Sequence, residues 1–194
     1  MKKRFAIFMA SLFVVGSFFV LEGKAMAEDF SADMINVADG QTTQAKLYVS
    51  GKKSRVEMGP VIAISRMDKN VAWVLMPEQN MYMEQPVDLK RVPKTDREMS
   101  GEISRASLGM ENVNGNACEK FQVVYVDQSG KQSVYQWVET SSNFPLKVQA
   151  VDGSWSVEYQ NLNRASQPGT LFEIPAGYQK FEMPSMAELM KQQQ

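Results

Sequence analysis

The chain has 194 residues with 21 Lys and Arg, 22 Asp and Glu, no His and one Cys, for a formal charge of −1. Without histidine there can be no Ser-His or Cys-His nucleophile pair and none of the commonest zinc ligand; the lone Cys118 cannot close an internal disulfide. The near-neutral balance offers no basic surface for nucleic acid.

Residues 5–21 are mostly apolar and lie between Lys2-Lys3-Arg4 and Ala25-Met26-Ala27. A basic start, an apolar centre and small residues two positions apart predict a secretory signal peptide over residues 1–27, cut between Ala27 and Glu28. The run approaches membrane-spanning length, but Ser11, Gly16 and Ser17 weaken that reading. Cleavage leaves a periplasmic chain of net charge −4 with no stable membrane anchor, because the residue after the cut is Glu28 and not a lipid-accepting cysteine. Residues 28–194 are long enough for a single domain with its own core.

From residue 30 onward, short alternating segments separated by turn residues predict an antiparallel β protein. Residues 30–37 lead into Asp39-Gly40, a tight-turn pair. Within 44–49, Ala45, Leu47 and Val49 face one way, and within 54–58 Val56 and Met58 point inward against Arg55 and Glu57. Strands are expected at 61–67, 71–76 and 81–85. Residues 86–101 break the rhythm with charges, Pro86 and Pro93, and read as a long loop of the functional or mobile kind. Strands resume at 103–110, 117–127, 131–140, 146–151 and 154–161, the last alternating Trp155, Val157 and Tyr159 against polar neighbours. A short edge piece at 172–174 completes about eleven strands, mostly hairpin-linked, so one large meandering sheet is the economical topology. In the tail, Ser185 and Glu188 form a capping box with Met186, Leu189 and Met190 on one face, predicting a short helix near 185–192 that forms only when docked.

Four segments carry a family resemblance: Arg55-Val56-Glu57-Met58; residues 71–77, with Trp73 and Pro77; Gln136-Trp137-Val138 with Phe144-Pro145-Leu146; and residues 171–178, ending in Pro175-Ala176-Gly177-Tyr178. With them the chain resembles the superfamily of the periplasmic lipoprotein carrier LolA and the sensor RseB, closest to an uncharacterised secreted family within it. The resemblance implies a mainly β fold: a single curved antiparallel half-barrel whose apolar concave face is covered by short helices or loops. In the carrier that hollow holds lipoprotein acyl chains. Two departures stand out: strand-like residues begin almost directly after Glu28, and the proline-broken stretch 86–101 stands where the carrier has helical cover. No functional residue is carried over.

Fourteen methionines, several clustered between Met58 and Met83, suit a surface that accommodates varied apolar ligands, although core filling is their commoner use. A single sheet leaves a face that a ligand, a lid or a partner must cover. The candidate lining is Leu47, Val49, Val56, Met58, Trp73, Leu75, Met81, Met83, Tyr125, Trp137, Trp155 and Tyr159, with plain sheet packing as the alternative role of the aromatics. The acidic pairs Glu28-Asp29 and Glu57 with Asp68 are too scattered for a metal or an acid–base dyad, and Cys118 reads as a small buried residue. No motif supports an enzyme or a cofactor. The expected activity is binding or carriage of apolar ligands such as lipid or lipoprotein acyl chains; the alternative is an envelope sensor or scaffold that binds protein.

Overall fold

The computed structural model describes residues 29–87, 98–127 and 129–182. The expected signal peptide with its Ala27–Glu28 cut, most of the 86–101 loop and the 185–192 helix lie outside these residues.

Twelve strands form one sheet: β1 (Phe30–Ala38), β2 (Gln41–Ser50), β3 (Lys53–Met58), β4 (Val61–Arg66), β5 (Val71–Met76), β6 (Met81–Pro86), β7 (Glu102–Val113), β8 (Asn116–Asp127), β9 (Gly130–Glu139), β10 (Pro145–Ala150), β11 (Trp155–Asn163) and β12 (Gln179–Lys180). Across the sheet they run β12-β6-β5-β4-β3-β2-β1-β11-β10-β9-β8-β7. The sheet is an open half-barrel, antiparallel except for β12, which pairs parallel to β6. It consists of two hairpin runs, β1–β6 and β7–β11, joined where β1 pairs with β11. The connection from β6 to β7 therefore links strands near opposite ends of the sheet.

The turn chemistry accounts for the hairpins. Asp39-Gly40 (φ 51° and 72°) and Asn114-Gly115 (φ 52° and 83°) take positive φ at both central residues, the twist that two-residue hairpins need. The expected edge piece at 172–174 is not a strand. Pro168 and Pro175 flank it, and Gly169–Phe172 forms a 3-10 turn that drives Phe172 into the core. The strand in this region is β12 instead, a Gln-Lys pair with no alternation to announce it.

Directly opposed residues share a face, so register sorts the side chains. One face of β3–β6 carries Arg55, Ile64, Trp73 and Glu84 in a single cross-strand row. Over it runs a C-terminal strap, residues 169–181. Phe172 is fully buried against Ile64, Trp73 and Leu75, with Leu171, Ile174 and Tyr178 packed alongside. Arginines beneath the strap clasp its backbone: Arg55 Nη1 donates to Leu171 O (3.1 Å) and Arg66 Nη1 to Phe172 O (3.2 Å). Arg66 is buried, pairs with Asp68 through two bonds of 2.8 and 2.7 Å, and also pairs with Glu173. At the strap's far end Lys180 pairs with Glu84 (2.9 Å), which also accepts from Trp73 Nε1 (2.9 Å).

Two outcomes follow for the strap. Phe172→Ala, which empties a fully buried ring site, should cost roughly 3–5 kcal/mol in urea unfolding. The clasp should also be acid-sensitive. The bond from Arg66 holds Asp68 below the ordinary carboxylate range; burial pushes Glu173 up, but Arg66 and Lys69 bring it below its usual value. Depressed folded-state values contribute stability above the ordinary carboxylate pKa that is lost as pH falls through the folded values. Urea midpoints should therefore drop below about pH 4.5, the unperturbed glutamate value, and drop less steeply in Arg66→Met.

Candidate functional site

The opposite face is apolar across most of the sheet. One register row, Ala32–Leu47–Val56–Ala63–Val74–Met83, crosses six strands, each residue facing the next. A neighbouring row includes the directly opposed pairs Met34 with Ala45, Met58 with Val61, and Met76 with Met81. Beyond β1 the same face continues through Tyr159 opposite Met34, Val157 opposite Val148, and Val123 opposite Val134.

Burial along this face is graded. At the centre Phe30, Leu47, Val49, Val56, Val157 and Tyr159 are buried in one cluster, and Val123, Val134, Val138, Val148 and Phe121 form a second; Trp155 packs against both. Phe144, on the turn before β10, caps the first cluster with ring centroids 5.1 Å from Phe30 and 5.5 Å from Tyr159. At the β7 end the face is closed by charge. Arg105 lies over the Phe121 ring (4.8 Å), donates to Gln136 (2.8 Å) and pairs with Glu102 (2.9 Å). At the β6 end the face stays open: Val61, Val74, Met76, Met81 and Met83 are half-buried, and none joins a buried cluster among the described residues.

The candidate residues divide between the two faces. Leu47, Val49, Val56, Met58, Met81, Met83, Tyr125, Trp155 and Tyr159 stand together on the apolar face. Trp73 and Leu75 stand on the other face beneath the strap. Trp137 is on that other face too, roofed by Lys120 (4.7 Å) and Lys147 (5.4 Å), with its indole N–H donating to Glu111 (2.7 Å). Alternation within each strand held the signal for this division, but only cross-strand register links the parities of separate strands.

Two polar features border the apolar face. The Tyr159 hydroxyl is buried without a hydrogen-bond partner among the described residues, and burial pushes its ionisation far above the usual phenol range. Beside it lies a mostly polar cleft of about 360 Å³, with Asn116, Glu139, Asn161 and Arg164 in its wall. Glu139 accepts from Arg164 and Ser142; burial alone would raise its carboxyl, but these bonds bring it below the ordinary value. Cys118 is fully buried, and desolvation, with Glu139 nearby, raises its thiol, which leaves it an unreactive packing group.

The geometry has known counterparts. MucB matches with a TM-score of 0.54 at 14% identity, over 77% of this chain and 58% of that one. MucB in the Pseudomonas aeruginosa MucA/MucB complex matches at 0.50 and 15%, over 78% and 57%. The chain therefore spans less than two thirds of the MucB chains it matches. The Mycobacterium tuberculosis lipoprotein LppX matches at 0.48 and 15%, over 75% and 89%. No curated protein matches the chain. The MucB matches show a shared fold. A single family model covers residues 30–142, from β1 through the turn after β9, and by that match the chain belongs to the family described as a domain of unknown function, DUF4412.

Proposed function

We propose that this protein is an exported, periplasmic binder or carrier of apolar chains, with the acyl part of a lipid or lipoprotein lying on the open face of the half-barrel. The observation that carries this reading is the apolar row from Ala32 to Met83, buried from Ala32 to Val56 and open at its methionine end. No second sheet lies over this face among the described residues, so its deep central burial fits a sheet that curls toward it. Thioether side chains at the open end adapt to ligands of varied shape without fixed polar demands.

Magnitude constrains the mechanism. Burying an acyl chain of about fourteen carbons at ~0.8 kcal/mol per CH₂ yields on the order of 11 kcal/mol, close to what the chain gains in a bilayer. Exchange with a membrane is then nearly isoenergetic, provided that the protein does not enclose its cargo completely. Tyr159 adds a polar handle. An orphaned buried hydroxyl costs about 1–3 kcal/mol, which the ester or carboxylate oxygen of an amphiphile would recover.

A fluorescent fatty acid, with native mass spectrometry of protein purified from the envelope, tests this reading. Adducts of acyl-lipid mass displaced by the probe support it; a clean apo mass without probe uptake would overturn it. Met81→Glu with Met83→Glu should abolish probe binding while leaving secretion intact, and Trp137→Phe, on the far face, should leave binding unchanged. Tyr159→Phe should leave the apo protein as stable or up to about 1 kcal/mol more stable, yet weaken the probe. A loss of apo stability would mean that the hydroxyl has a partner in the native protein.

A second reading, a sensor or scaffold that binds protein, is favoured by β7. Among the described residues this edge strand pairs only with β8, and it exposes Ile103 (60%), Leu108 (50%) and Met110 (61%). A structural neighbour seen in complex with MucA gives that reading a parallel. It predicts no probe uptake, together with capture of an envelope protein that Leu108→Lys and Met110→Lys abolish.

A further inference from the structure

The polar cleft beside Tyr159 has a wall that the binding of apolar chains does not explain. Its volume of about 360 Å³ falls within the ~300–1,000 Å³ of small-molecule sites. Four side-chain amides stand in that wall: Asn114 and Asn116 from the β7–β8 hairpin, Gln160 and Asn161 from the end of β11. Consecutive strand residues normally point to opposite faces, but β11 bulges here. Asn161 takes a positive φ of 51°, and the register with β1 shifts between Asp33–Gln160 and Ser31–Asn163, so Gln160 and Asn161 both line the cleft.

Hydrogen bonds fix which way each amide points. Asn114 Nδ2 (3.0 Å) and Gln160 Nε2 (2.8 Å) donate to Glu158, and Asn161 Nδ2 donates to Asp33 (2.7 Å). Ionised carboxylates only accept, so none of these three amides can be turned round. Asn116 Nδ2 donates to the backbone carbonyls of Val113 and Asn114, both at 3.3 Å. With their NH₂ groups so committed, the four amide carbonyls accept no hydrogen bond from the described residues. We propose that this cleft binds a neutral sugar unit of a glycan, its hydroxyls donating to the side-chain carbonyls of Asn114, Asn116, Gln160 and Asn161.

Charge selects among ligands that carry donors. Glu139, in the same wall, pairs with Arg164; Glu158 pairs with Lys147 (3.1 Å) and Asp33 with Lys46 (4.0 Å). Each carboxylate at the cleft thus has its own cation, so a metal ion or an ammonium group would be desolvated without a counter-charge. An anion would meet carbonyl oxygens where it needs donors. A sugar hydroxyl is uncharged and donates to a carbonyl while still accepting from solvent. Leu146 and Leu162 give the wall an apolar part for the C–H face of a ring. Sugar binding here is independent of the apolar-chain reading, because it uses none of the residues at the methionine end.

NMR of the side-chain amides of the full exported chain reads the site directly. N,N′-diacetylchitobiose and maltose, titrated separately, should give saturable shifts of the Asn116, Gln160 and Asn161 NH₂ signals at millimolar concentration. The tighter of the two tells an amino-sugar glycan from a plain hexose one. No saturable shift with either disaccharide would overturn the proposal, as would larger shifts with calcium chloride or sodium sulfate at equal concentration. Gln160→Met with Asn161→Gly removes two carbonyls, and glycine keeps the left-handed backbone. This variant should bind the tighter sugar roughly ten-fold more weakly; unchanged affinity would count against the site. If it does not fold, Asn116→Ser gives the same decision from the hairpin side. Sugar-induced shifts in a protein that takes up no fatty acid would uphold the cleft while removing the carrier reading.

Discussion

One long-range pairing makes this molecule a single object. β1 and β11 lie more than a hundred residues apart in sequence, and their antiparallel register, with Met34 opposite Tyr159 and Asn36 opposite Val157, joins two local hairpin runs into one sheet. Without it neither run has a complete core. The cluster around Phe30, Leu47 and Val56 draws Val157 and Tyr159 from β11, and Trp155 links it to the cluster of β8–β10. The entropy of closing so large a loop must be met before these contacts form, which places the pairing among the slower steps of folding.

The consequence of a single layer is that its two faces are settled by different means. One is closed by the chain itself. The strap brings Phe172 over β4 and β5, and buried Arg66, braced by Asp68, holds it by the Phe172 carbonyl and the Glu173 carboxylate. A buried guanidinium is costly to desolvate, but here its donors are matched by acceptors on both the strap and the sheet, so removing any partner costs more than the pair contributes net. The further half of that face needs no strap, because Lys120 and Lys147 lie over Trp137 and pair with Glu111 and Glu158. Among the described residues, the other face has neither device at its β6 end. Its margins differ: one is closed by charge at Arg105, and the other is lined by the thioethers of Met81 and Met83.

Much of this was readable in the chain before any fold was known. Asp39-Gly40 and Asn114-Gly115 marked hairpins because positive φ at both turn positions is tolerated by few residues. The eleven strands β1–β11 were visible because turn residues bound short segments, with period-two alternation in several, as in Ala45-Leu47-Val49 and Trp155-Val157-Tyr159. β12 was not, since a two-residue strand of Gln and Lys has no period and exists only because β6 offers it an edge. The Gly169–Phe172 turn looked like strand because Phe172 and Ile174 alternate, while the prolines on either side favoured a turn.

The residues themselves determined that this is a β protein of short hairpins, without disulfide or histidine chemistry, and which side chains within each strand share a side. These are local properties, set by backbone preference, turn stereochemistry and alternation. Tertiary structure alone decided which sides of separate strands belong together. That sum over cross-strand registers sent Trp73, Leu75 and Trp137 to one face and Leu47, Val56, Met81 and Tyr159 to the other. A residue's face is a relation between strands that can lie more than a hundred positions apart, and no single segment carries it.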